Sequence, residues 1–166
     1  MTAVVLLNQL ADFIENAVMD MQLLVPPKKD GKNSKPQRKP PGVYKMRLPE
    51  RDVADAHAKR IPYIVLQVLH GEDTHEQSED STCLIRIIAT TYSEDGGAGA
   101  NDVLNVITRI RIALLEAGVI GEQFHLRKPL EWIVYPDDVG NYFFAELMST
   151  WEMPPVHRQV NPKIWG

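Results

Sequence analysis

Two pairs of strand-like runs wrapped around one helical run set the tightest limit on what this chain can fold into. Residues 61–70 (IPYIVLQVLH) and 82–92 read as strands joined by a polar, acidic tip, GEDTHEQSED. A helix over 101–117 follows, then strands over 130–135 (LEWIVY) and 142–153 (YFFAELMSTWEM). An amphipathic helix over 3–24 comes before all of them. This α-β-β-α-β-β order predicts an α+β fold, with a mixed, mostly antiparallel sheet flanked by two helices.

The two helices are read from their spacing. Leu6, Leu7, Leu10, Phe13, Ile14, Ala17, Val18 and Met21 recur every three or four residues, with Thr2 as N-cap and Pro26-Pro27 as the stop. In the second helix Val103, Ile107, Ile110 and Leu114 form a stripe that Leu104, Val106 and Ala113 broaden, and Gly118 is placed for a left-handed C-terminus. The segments 61–69 and 84–89 are nearly continuous in apolar residues, which predicts central strands. Val43 to Leu48 alternates as a short edge strand, and 49–59 suits a helical turn. Pro136 to Asn141 has strong hairpin-turn chemistry. The aromatic residues Trp132, Tyr135, Tyr142, Phe143, Phe144 and Trp151 read as a sheet packing on helices.

Two polar stretches stand apart. Residues 26–42 (PPKKDGKNSKPQRKPPG) have no apolar side chain to offset the entropy of ordering, so they read as a mobile arm. The arm carries Lys28, Lys29, Lys32, Lys35, Arg38 and Lys39, a solvated linker or a surface that orders against a partner or touches nucleic-acid phosphate. The tip carries Glu72, Asp73, Glu76, Glu79 and Asp80, and reads as a protruding loop or an extension of its two strands. Beyond Pro154-Pro155 the tail to residue 166 reads as extended, with Ile164 and Trp165 unusual for a free end. The whole, 1–166, reads as one domain.

Tests for chemistry fail one after another. The five histidines are scattered, and His70, Asp73 and His75 fall short of the three pre-oriented ligands that a catalytic zinc needs. Cys83 lies in a strand expected to be buried, without a neighbouring base to make it a nucleophile. The loop GGAGAN lacks the lysine and the spacing of a phosphate-binding turn, and reads as a hinge before the helix. No catalytic residue, cofactor or metal is expected. A net charge of -4 argues against a dedicated nucleic-acid binder. The lone cysteine fits a reducing compartment, and the acids in residues 3–24 argue against a signal peptide or a membrane span. A soluble, intracellular product is expected.

The order of elements, with "RIPYIVLQVLHGED", a second strand ending in "TTYSED", the helix "DVLNVITRIRIALLE" and a closing "NYFFAELMSTWEM", resembles the tail terminator (tail completion) proteins of long-tailed bacteriophages. These include lambda-type minor tail proteins and relatives in contractile-tailed phages and prophages. The similarity spans about residues 2–155. It implies a homo-oligomeric ring, hexameric in this family, that caps the tail tube, ends its polymerisation and docks the head. It further implies the tube protein and a head-completion or neck protein as partners, DNA passing through without sequence-specific binding, and a place in the virion tail after assembly in the bacterial cytoplasm. In that setting the acidic tip would face tube or channel and the basic arm a protein neighbour. The long arm and the extended tail depart from the family's pattern. Two other readings compete: a head-side neck or connector ring, and a small ferredoxin-like ligand-binding module or enzyme.

Overall fold

The computed structural model describes residues 2–27, 35–49, 60–74 and 80–157. Helix α1, Ala3–Val18, buries Leu6, Leu7, Leu10, Ala11, Ile14 and Val18, the stripe read from the sequence. Thr2 takes the cap position with extended backbone; its carbonyl accepts from Val5 and Leu6 at 3.0 and 3.3 Å. The helix ends six residues short of the expected 24. Leu23 reaches the core from a short strand, β1 (Leu23–Leu24), which pairs antiparallel with β2 (Arg38–Lys39). That pairing, and not Pro26-Pro27, sets the boundary.

The same ladder corrects the arm. Val25 N–H donates to Gln37 O at 2.9 Å, and the Arg38 guanidinium donates to Gln22 O at 3.2 Å, so the second half of 26–42 has defined structure. Backbone pairing supplies what the sequence lacks in apolar side chains. Lys35 and Arg38 are exposed and Lys39 half-buried, whereas Lys28, Lys29 and Lys32 lie outside the described residues. So do residues 50–59 of the turn expected over 49–59, His75, Glu76, Glu79, and residues 158–166 of the tail with Ile164 and Trp165.

The main sheet has six strands in the order β3-β4-β5-β8-β7-β6. They are β3 (Gly42–Lys45), β4 (Tyr63–Asp73), β5 (Ser81–Tyr92), β6 (Val119–Ile120), β7 (Phe124–Val134) and β8 (Tyr142–Met153). Only β3–β4 is parallel, so the sheet is mixed and mostly antiparallel as expected. β4 runs through Glu72 and Asp73, which pair with Thr82 and Ser81; the first three residues of the tip, 71–73, are thus strand extension. β7 begins at Phe124, six residues before the expected 130. His125, Arg127, Lys128 and Pro129 hide its alternation from a sequence reading. The turn into β8 holds Gly140 and Asn141 at φ 58° and 69°, as a two-residue hairpin loop requires.

Helix α2, Gly96–Ala117, starts five residues before the expected 101. Asp95 caps it, accepting from Gly97 N at 2.9 Å and Ala98 N at 3.2 Å, so the glycine run is helix and not a hinge. Gly118 closes it at φ 65°, its N–H on Leu114 O at 2.9 Å, as the sequence suggested.

Both helices pack on one face of the sheet, over Ile64, Leu66, Ile85, Ile87, Leu147 and Trp151. Asn8 of α1 accepts from Lys45 of β3 at 2.8 Å, while the next residue, Gln9, packs against Gly121 beside β6. A flat six-stranded sheet would hold its edges about 24 Å apart, at roughly 4.8 Å per strand. One helix, about 10–12 Å across with its side chains, bridges both edges only because the sheet curls around it.

Candidate assembly surface

Directly paired strand residues point to the same face, so the registers map the side of the sheet turned away from α1 and α2. It carries Tyr44, Tyr63 and Val65 at one margin, then Leu84, Arg86, Ile88 and Tyr92 of β5. Next come Tyr142, Phe144, Glu146 and Met148 of β8, and Glu131 and Ile133 of β7. Tyr135 follows, its N–H on Phe144 O at 3.0 Å. All five tyrosines of the chain are here. The aromatic residues expected to pack on helices therefore divide. Phe143 and Trp151 enter the core, Tyr135, Tyr142 and Phe144 take the opposite face, and Trp132 points to the helix side yet stays 47% exposed. Burial alternates along β8, whereas its run of consecutive apolar residues, Tyr142 to Ala145, gave no such alternation in the sequence.

At the centre of this face Glu146 accepts from Arg86 Nε at 2.7 Å and lies 2.6 Å from its second nitrogen. A hydrogen bond from the Tyr135 hydroxyl to the same carboxylate raises the tyrosine pKa. Apolar side chains flank the pair: Ile88 beside Glu146, and Met148 beside Arg86 in the register. Tyr92 and Tyr142 stack with ring centroids 5.8 Å apart, tilted by 53°, and Arg60 stands 5.7 Å over the Tyr44 ring. A shallow groove of about 490 Å³ runs along β7 and β8, lined by Leu130, Glu131, Trp132, Ile133, Glu146 and Met148. Tyrosine and arginine set among half-buried apolar groups is the composition of protein–protein contact centres.

The far end of the sheet is charged. Asp73 accepts from Ser81 Oγ at 2.6 Å, and Arg127 meets Glu152 at 2.6 Å and Asp80 at 3.8 Å. Of the five expected acids, Asp80 joins Glu152 at Arg127, while Glu72 and Asp73 lie on β4 and Asp73 is held by Ser81. His70 and Asp73 point to opposite faces of β4, so they do not converge on one ion. Among the described residues no three His, Cys, Asp or Glu side chains are placed to hold a metal. Cys83 is buried in the core, where desolvation pushes its thiol pKa up.

The sheet edges are shaped against simple strand addition. β4 has a bulge between Val68 and His70, and β7 shifts register between Arg127 and Glu131, around Lys128 and Pro129. Both irregularities sit at the level of Leu84 in β5 and Thr150 in β8. A bulge, a lysine and a proline are the devices by which sheets blunt an edge.

Compared with protein-family models and with curated proteins, the sequence matches none. Among the described residues no helix is long and apolar enough to cross a membrane.

Proposed function

We propose that this chain is a structural assembly protein of a phage or phage-like particle. It forms a ring on the end of the tail tube, stops tube growth and presents the surface to which the head docks. The supporting observation is the sheet face turned away from α1 and α2. A sheet that covers one side with two helices leaves Tyr135, Tyr142, Phe144, Met148 and Ile133 on the other, around the Arg86–Glu146 pair. Such a face suits a partner protein better than a small ligand, because its groove is shallow and open. In this reading Glu72, Asp73 and Asp80 face tube or channel, where negative charge does not retain passing phosphate. Lys35, Arg38 and Lys39 turn to a protein neighbour.

Deleting the gene tests the reading. Tails should then carry tubes of uncontrolled length that fail to join heads. Tails of normal length with heads that lose their DNA would favour a head-side neck ring instead. Mass measurement on the purified ring, six subunits expected, separates it from a twelve-fold connector.

A further inference from the structure

Helix α2 buries one apolar stripe in the core and leaves two large apolar residues, Leu104 and Ile112, outside it. Val103, Val106, Ile107, Ile110 and Leu114 are buried. Leu104, Thr108 and Ile112 recur every four residues on a different side of the helix, where Leu104 is 36% and Ile112 44% exposed. Arg111 adjoins Ile112 in the chain. The groove along β7 and β8 is its counterpart in chemistry: Leu130, Ile133 and Met148 form an apolar floor, with Glu131 among its lining residues. Ile133 is 49% exposed there.

We infer that the Leu104–Ile112 stripe of one copy seats in the Ile133–Met148 groove of the next, with Arg111 set against Glu131. The sheet excludes an intrachain fit, and the pairing of apolar stripe with apolar groove and of Arg111 with Glu131 points to a second copy. α2 packs on the helix side and the groove opens on the other, so a chain's own α2 cannot fill its groove. Stripe and groove are different surfaces, so the contact is head-to-tail, and repeated head-to-tail contacts close into a ring or run on as a filament. The inference rests on the ring reading above and gives it a specific subunit contact.

Cysteines at the two positions provide the test. A chain carrying both Ile112→Cys and Ile133→Cys, treated at high protein concentration with a short bis-maleimide linker, should give a ladder of covalent oligomers. Each single variant should stay monomeric in the gel, and the unaltered chain, whose Cys83 is buried, serves as the control. Dimers from Ile133→Cys alone would show groove meeting groove and overturn the inference, as would the absence of any ladder. Mass measurement on the same samples separates the two levels of failure. Rings without a ladder sink this contact and leave the ring reading standing, whereas monomers at every concentration sink both. Charge reversal adds an independent readout. Arg111→Glu or Glu131→Arg alone should weaken association about tenfold, and the double reversal should recover most of it. Equal weakening in the double variant would count against the pairing.

Discussion

The ring of Phe143 occupies the space that a side chain on residue 99 would fill. A Cβ built on Gly99 would collide with that ring, whereas one on Gly96 meets nothing within 4 Å. The close approach locks the first turn of α2 onto β8 at the tyrosine-rich end of the sheet.

Gly99→Ala should therefore destabilise the protein by about 1–3 kcal/mol through overpacking. Gly96→Ala should be neutral or stabilise by up to about 1 kcal/mol, since alanine loses less backbone entropy in a helix. Urea denaturation of the two variants side by side is the check. Equal effects would mean that the glycines serve only chain flexibility.

That contact also shows where sequence reading ran out. The stripes of α1 and α2, the apolar strands β4 and β5, and the bounds of β8 were legible because period and burial agree in them. Gly96 to Ala100 were not, because intrinsic propensity disfavours helix there and tertiary packing against Phe143 overrides it. Asp95, the cap that starts the helix, was the available signal. β1 and β2 were hidden for the opposite reason, being held by backbone bonds between residues with no periodic pattern. The sheet face away from α1 and α2 was half legible: the length of β8 announces a strand through the sheet, but only strand order reveals that α1 and α2 take the same side of it.

Asp95→Ala should cost about 1 kcal/mol by leaving the Gly97 and Ala98 amides uncapped, and Asp95→Asn should recover most of it. The loss should appear first at the helix start, as faster amide exchange over residues 97–100 than over 106–114. Uniform acceleration along the helix would argue against a local cap.

Inside the core, Trp151 Nε1–H donates to Ser149 Oγ at 2.9 Å, and that hydroxyl donates to Ile85 O at 3.0 Å. All of it is buried. Ser149→Ala should strand the indole N–H and cost about 1–3 kcal/mol, the penalty for an unsatisfied buried donor. Tryptophan emission should follow the unfolding transition to a lower denaturant midpoint. An unchanged midpoint would show that the indole finds another acceptor.

The tyrosines give the protein a pH signature. Burial raises the Tyr63 pKa, burial and the Glu94 carboxylate raise that of Tyr92, and Glu146 raises that of Tyr135. Each group is neutral when protonated, so a raised pKa means the folded chain holds its proton more tightly than the unfolded one. The stability from these groups is fully present below the ordinary tyrosine value near 10 and is lost as pH rises through it toward the folded values. Denaturant midpoints should fall as pH climbs past about 10 on that account. Tyrosinate absorbance of the native protein should rise at higher pH than that of the denatured chain. Glu146→Gln should move part of that native curve back toward the denatured one, because it removes the carboxylate that holds the Tyr135 proton. A native curve lying on or below the denatured curve would contradict the environments assigned to Tyr63, Tyr92 and Tyr135. A shift that ignored Glu146→Gln would break the link between Tyr135 and the ion pair at the centre of the face.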